Sequence, residues 1–229
     1  MFTIKNTTKN PKLIDADKII LGIGITALIL PLIVYLASFP SQECLRYGML
    51  HSISAYYHTD ARDVLVGMIC ALAFCFLAYN GYSKIDMITS KVAAISALGV
   101  ALIPTSIFPG EYVCIDSDGT DLREFVHVTC AVILLLTMSI FSIKIFTHRE
   151  NGETIAPRKL FFYRFWGFSI LGSLMLIGLY FLFLKDVIPG ISNWYVVFWL
   201  EVVCLFAFGC SWLLKSGLFD RKKQEKNIK

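Results

Sequence analysis

The sequence has few charged residues. Only 17% of its 229 residues are Asp, Glu, Lys or Arg, whereas ordinary soluble domains carry about 25%. Such a chain has too few polar side chains to cover a surface that faces water. Hydrophobic residues make up 56% of the chain and are grouped in long runs, which indicates that a lipid bilayer is the solvent. The bilayer is therefore the expected partner, and nothing in the sequence indicates a nucleic-acid surface.

Several common site motifs are missing as well. The seven cysteines include no CxxC pair and no CxxC…H spacing, which argues against a zinc ribbon or a thioredoxin-type redox site. Gly22-Ile-Gly24 lacks the third glycine and the preceding strand of a dinucleotide-binding loop. The acidic stretch 116–121 lacks the closing glutamate of an EF-hand loop. No A-x-A cleavage site follows the first hydrophobic run, so we interpret that run as a helix and not as a signal peptide.

The hydrophobic runs predict an all-α chain. In lipid every backbone polar group must be satisfied within the protein, and runs of about 20 residues without strict alternation favour helices over a closed barrel. The chain is expected to form one domain, an integral membrane bundle of six transmembrane helices. The predicted helices are 19–36, 64–82, 92–108, 125–146, 160–184 and 194–214, and the tails are 1–17 and 215–229.

Basic residues are distributed unevenly between the predicted connections. Of the 21 lysines and arginines, only Arg46, Arg62, Arg123 and Lys185 lie on the side of the first, third and fifth connections. Because cytoplasmic loops carry the excess of positive charge, both tails are expected to be cytoplasmic. The stretch 51–63 then faces outward.

This stretch, His-Ser-Ile-Ser-Ala-Tyr-Tyr-His-Thr-Asp-Ala-Arg-Asp, is a polar island between two hydrophobic runs. Helices two, four and six all begin on the same outer side, so polar residues near their starts can converge with it. A carboxylate at the depth of Glu201 is costly in lipid, so it should face the bundle interior and have a partner. The sequence thus predicts an outward-facing polar pocket. The candidate residues are His51, Ser54, His58, Asp60, Asp63, Glu124, His127 and Glu201.

Ordinary structural roles are open for the same residues. Asp63 would favour the start of the second helix electrostatically. His127 would donate a hydrogen bond to Glu201 or Ser54 and join two helices. Tyr56 would be an anchor at the membrane interface.

Three functions remain open. The first is a non-enzymatic membrane protein, without a cofactor, whose pocket binds a lipid headgroup or a small molecule. The second is a membrane-embedded lipid hydrolase in which histidines and carboxylates hold zinc and a metal-bound water attacks the substrate. Ser54-x-x-x-His58 is similar to the first motif of membrane ceramidases and adiponectin-receptor-like hydrolases, but the chain has six predicted spans and no HxxxH pair near its C-terminus. The third is a small transporter or channel subunit, assembled as a homo-oligomer.

Cys44 and Cys114 fall in two long connections on the predicted outer side. An oxidising compartment would permit a disulfide between them. The separation of their Cα atoms decides whether a bridge forms, so a disulfide and two free thiols both stay open.

Three short motifs carry a family resemblance. Ser52-Ile-Ser54, Ala97-Leu-Gly-Val-Ala-Leu-Ile-Pro-Thr105 and His127 resemble, in kind and order, a bacterial group of six-helix membrane proteins classed as domain of unknown function 998. The layout is more distantly similar to the damage-regulated autophagy modulators, which also have six spans. The resemblance covers roughly residues 18–146. It implies the fold and a location in the bacterial inner (plasma) membrane, and it implies no established activity.

Overall fold

The computed structural model describes residues 16–44, 49–81, 83–106, 121–147, 155–188 and 194–217. Within these ranges the chain is helical and contains no strand, which confirms the predicted all-α class. The six main helices are α1 (Ala16–Ala37), α2 (Arg62–Ala78), α3 (Lys84–Leu102), α4 (Asp121–Ile140), α5 (Pro157–Leu179) and α6 (Val196–Lys215). Short 3₁₀ helices follow α1 at Phe39–Cys44 and precede α2 at Ser54–His58.

Most of the helices match the thickness of a membrane. Among the described residues, five stretches are long and apolar enough to cross one, namely Lys18–Ser41, Lys84–Leu102, Leu122–Ile145, Pro157–Leu184 and Val196–Lys215. These stretches are consistent with an integral membrane protein. The remaining helix, α2, has 17 residues, which is at the short end of the roughly 17–25 that a transmembrane helix needs.

The helices form a closed ring. Each one packs against its neighbours in the chain, and α6 returns to pack against α1. A Cβ atom on Gly209 of α6 would lie 2.9 Å from the backbone oxygen of Gly24 on α1. The two backbones therefore approach closely, as small residues allow where helices cross. Since α4 also contacts α6 across the ring, α5 lies furthest out, and only 22% of the residues in an apolar 18-residue segment of this stretch are buried.

The third helix differs most from its predicted bounds. It begins at Lys84 rather than at residue 92, because Ser83 and Asp86 form a capping box. The Ser83 hydroxyl accepts the Asp86 N–H at 3.1 Å, and the Asp86 carboxylate accepts the Ser83 N–H at 3.3 Å. The helix ends at Leu102 rather than at 108, since Pro104 forces the preceding residue, Ile103, into an extended conformation (φ −105°, ψ 112°).

Two other helices continue through wide turns. α4 runs on through a π-helical turn at Phe141–Ile145. α5 runs on through a similar turn at Tyr180–Leu184 and then through Lys185–Val187. On the first of these turns the Ser142 hydroxyl donates to the Ser211 hydroxyl of α6 at 2.9 Å. This hydrogen bond joins α4 to α6 in the middle of an apolar core.

The two ends of the bundle are filled differently. At the end where α1 begins and α6 ends, aromatic rings pack around the fully buried Trp212. Their centroids lie 5.1–5.8 Å from that of Trp212, and they belong to Phe76, Tyr79, Phe141, Phe146 and Phe208. We call this group the aromatic cluster. The opposite end is covered by residues 49–61, which we call the plug.

Candidate functional site

The plug turns into the bundle instead of away from it. Leu50, Ile53, Ala55 and Tyr56 are each at most 6% exposed. The ring of Tyr56 lies 6.1 Å from that of Phe198 on α6. The expectation that Tyr56 is an interfacial anchor is therefore wrong, because its ring is part of the core and helps to seat the plug.

Glu201 of α6 lies directly beneath the plug. Its Oε2 atom accepts a hydrogen bond from the backbone N–H of Ile53 at 2.6 Å. A hydrogen bond to a charged acceptor is shorter and about twice as strong as a neutral one. The contact spans 148 positions of the chain, so one carboxylate holds the plug to the last helix.

A cavity of about 80 Å³ extends below this contact. Glu201 and Ser54 provide its polar side chains. Its walls are apolar and come from α1, α2, α3, α4 and α6, with Leu30, Leu72 and Leu134 among the lining residues. The cavity is therefore small, polar beside the plug and apolar elsewhere.

Two histidines hold the end of α3. His58 Nε2 donates to the carbonyl oxygen of Thr105 at 2.7 Å, and His127 Nδ1 donates to that of Ile103 at 2.6 Å. Carbonyl groups at the end of a helix have no partner within it, and nearby side-chain donors commonly satisfy them. The histidines thus join the plug and α4 to the segment that follows α3. These hydrogen bonds also fix the tautomer of each ring, because the bonded nitrogen must carry the proton.

The predicted partner of His127 is therefore wrong. The ring was expected to bond Glu201 or Ser54, and it bonds the backbone of Ile103 instead. Pro104 explains the difference, since it ends the helical hydrogen bonding and leaves carbonyl groups nearby that need a donor.

Asp60 is paired with Ser41, a partner that the sequence pattern does not indicate. The Ser41 hydroxyl donates to Asp60 Oδ2 at 2.5 Å and accepts the Asp60 N–H at 2.9 Å. This reciprocal pair ties the end of the first helical segment to the start of α2. Nearby, Arg62 lies 4.7 Å from the centre of the Tyr57 ring and donates to its hydroxyl at 3.1 Å.

The other candidates lie away from the cavity lining. His51 is 8% exposed, and its ring lies 5.6 Å from that of Tyr195, beside the start of α6. Asp63 and Glu124 are exposed. Asp63 lies in the first turn of α2, where a negative charge is favourable, although the N-cap residue Ala61 makes no side-chain cap bond.

The eight candidates thus divide between several local contacts. Only Ser54 and Glu201 line the cavity. Within the described residues, no group of three His, Cys, Asp or Glu side chains is arranged to hold a metal ion. Nothing in the sequence indicates the contribution of Ile53, because this residue acts through its backbone N–H and not through a side chain.

The possible disulfide between Cys44 and Cys114 lies outside the described residues, which leave out Cys114 and the side chain of Cys44. The described cysteines are free thiols on helices. Cys204 is fully buried. A Cβ atom on Gly99 would lie 2.4 Å from Cys130 Sγ, so Cys130 packs directly against α3.

No family model, no curated protein and no solved structure matches the chain. The resemblance to domain of unknown function 998 therefore stays a prediction based on three motifs. Two of these motifs are in contact, because Ile103 belongs to the second and His127 is the third.

Proposed function

We propose that the protein is a bacterial integral membrane protein with six spans and both termini in the cytoplasm. The contacts of α2 support a span for this shorter helix, because it packs between α1 and α3 within the ring. Lysine placement supports the orientation. Lys84, Lys144 and Lys215 belong to helix ends on the side of the aromatic cluster, which becomes the cytoplasmic side. The plug then faces outward.

The orientation can be tested with alkaline phosphatase fusions, since this enzyme is active only outside the cytoplasm. A fusion after residue 120, in the predicted third connection, should be active. A fusion after residue 229 should be inactive. The reverse pattern would contradict the proposed orientation, and activity of both fusions would contradict six spans.

The proposed binding function rests on one observation, namely that the carboxylate of Glu201 lines an otherwise mostly apolar cavity. The cavity beneath the plug binds a small molecule or a lipid headgroup that enters from the outer side. Ligand sites are commonly concave and mostly apolar, with a few placed polar groups that orient the ligand. Glu201 supplies such a group at one edge of an apolar space. A carboxylate within a membrane bundle is costly and marks a functional site by default.

The aromatic cluster favours binding over transport. Phe76 lines the cavity and also packs against Trp212, with ring centroids 5.8 Å apart. The cavity therefore ends against closely packed rings on the cytoplasmic side. A transporter or channel needs a polar path beyond this point, and the neighbouring rings of Phe141 and Phe208 are fully buried and apolar.

Ligand-dependent stabilisation tests the pocket. The protein in nanodiscs is heated with lysophosphatidylcholine, lysophosphatidylglycerol, short alcohols, short carboxylates or short amines. A ligand at ten times its Kd should stabilise the folded state by about 1.4 kcal/mol. At least one compound should stabilise the wild type but not Ala131→Leu, in which a larger side chain enters the cavity.

Val128→Leu is the matched control. Val128 is on the same helix and is 48% exposed, so the variant enlarges an outward-facing side chain. It should respond to ligands as the wild type does. The pocket proposal is refuted if no compound stabilises the wild type, or if every stabilising compound acts equally on Ala131→Leu.

A further inference from the structure

We propose that the pocket takes a ligand with an alkylammonium group, whose charge pairs with Glu201 and whose alkyl part fills the apolar cavity. This inference rests on the proposed function and narrows its ligand class. The observations that carry it are the charge of the lining, the contact of Glu201 with Ile53, and the size of the cavity.

The cavity lining has one acidic side chain and, among the described residues, no basic side chain to balance it. Among the described residues that line the cavity, Glu201 is the only ionisable side chain, and Ser54 is the only other polar one. A carboxylate in apolar surroundings costs free energy unless an opposite charge and hydrogen bonds compensate for it. Since no lysine or arginine among the described residues lines this space, a cationic ligand would supply the missing charge.

The hydrogen bonds leave room for such a cation. Glu201 Oε2 accepts the Ile53 N–H, and a carboxylate has a second oxygen with its own lone pairs. The Ser54 hydroxyl belongs to the next residue of the plug and lines the same cavity. An ammonium group has three N–H donors and can bond both the carboxylate and a hydroxyl.

Cavity size and walls favour a short alkyl chain over a bare metal ion. A cavity of about 80 Å³ is well above the roughly 10–15 Å³ that is needed to hold one water, so it has room for a short alkyl chain. The remaining walls are made of aliphatic side chains and Phe76, which match methylene groups. A calcium ion would instead require about six to eight oxygen ligands, and the described side chains in the lining provide one carboxylate and one hydroxyl.

Saturation-transfer NMR with two probes of equal size tests the inference. n-Butylammonium and 1-butanol are titrated separately against the protein in zwitterionic nanodiscs, with protein-free nanodiscs subtracted. The wild type should bind n-butylammonium at least about tenfold more tightly than 1-butanol, since a site built around a polar partner discriminates strongly against an analogue that cannot satisfy it.

Two substitutions test whether the carboxylate of Glu201 is the group that pairs with the ammonium group. Glu201→Gln keeps the size and one acceptor oxygen but removes the charge, so the preference for n-butylammonium should disappear while binding of 1-butanol changes less than about twofold. Glu124→Gln makes the same chemical change at an exposed position and should keep the preference. Ala131→Leu should weaken binding of both probes.

The outcomes separate this inference from the proposed function. Equal binding of the two probes to the wild type would overturn the ammonium assignment, and this comparison needs no variant to fold. A preference that survives in a folded Glu201→Gln would overturn it as well. In both cases the pocket stands if Ala131→Leu still weakens binding of the probes. If neither probe responds to Ala131→Leu, the pocket itself is refuted as their site.

Discussion

Closure of the ring depends on Gly209, and Gly209→Ala should destabilise the fold. A Cβ atom at this position would lie 2.6 Å from Leu28 Cγ and 2.9 Å from the backbone oxygen of Gly24. Carbon atoms are normally in contact at about 3.5–4.0 Å. The Leu28 side chain can rotate, but the Gly24 carbonyl moves only with its helix. Relief therefore requires α1 and α6 to separate by about half an ångström.

The expected magnitude follows from two opposing effects. Overpacking a well-packed interface costs about 1–3 kcal/mol. Replacing a glycine inside a helix by alanine returns about 0.5–1 kcal/mol through backbone entropy. The net loss for Gly209→Ala should therefore lie between about 0 and 2.5 kcal/mol, with a central value of about 1 kcal/mol. Gly22→Ala is the matched control on α1, because nothing lies within 4 Å of its added Cβ atom. It should be neutral or slightly stabilising.

The assay is reversible unfolding of the detergent-solubilised protein by sodium dodecyl sulfate, followed by far-UV circular dichroism. Wild type, Gly209→Ala and Gly22→Ala are compared under identical conditions. If Gly209→Ala is as stable as Gly22→Ala, α1 and α6 do not cross at these glycines, and the ring described here is refuted.

The remaining predictions concern the two ends of α3. Ser83→Ala removes the capping box shared with Asp86, so the free energy of unfolding in the same assay should fall by about 1 kcal/mol; an unchanged value would mean that α3 starts elsewhere. His127→Ala leaves the Ile103 carbonyl without this donor and should cost about 1–3 kcal/mol. Val128→Ala, on the exposed side of the same helix, should cost less, and an equal loss in both variants would contradict the role assigned to His127.

The presence of the six helices could be predicted from the sequence, whereas some of their bounds could not. A long apolar run can be assigned to a helix from its own residues alone, because a helix forms its backbone hydrogen bonds within one segment. The start of α3 was harder to predict, because Lys84 and Asp86 make the stretch polar and typical of a connection. The spacing of Ser83 and Asp86, a serine followed three residues later by an acidic residue, was the signal of a helix start.

The candidate site was predictable in position but not in its contacts. Hydropathy and charge predicted that Glu201 and the stretch 51–63 lie at the same end of the bundle. The partner atoms of Glu201, His127 and His58 proved to be backbone groups, namely the N–H of Ile53 and the carbonyls of Ile103 and Thr105. Every residue offers such groups, so residue types alone cannot identify them.

The cavity could not be predicted from the sequence either. Leu72 and Leu134 line it, but a leucine on a helix has the same pattern whether it fills a core or borders a space. The size of the space depends on how closely neighbouring helices approach, and glycines such as Gly209 set that distance through tertiary contacts.

The contact between the plug and Glu201 is the central feature of the proposed site, and amide hydrogen exchange at Ile53 tests it most directly. The protein with ¹⁵N-labelled isoleucine is measured by NMR in nanodiscs, as wild type and as Glu201→Ala, with Glu124→Ala as the exposed control. A hydrogen bond to a charged group contributes about 1.5–3 kcal/mol, so exchange at Ile53 should accelerate about tenfold or more in Glu201→Ala. It should be unchanged in Glu124→Ala. If Ile53 exchanges equally fast in the wild type and in Glu201→Ala, Glu201 does not hold the plug, and the account of the pocket is contradicted.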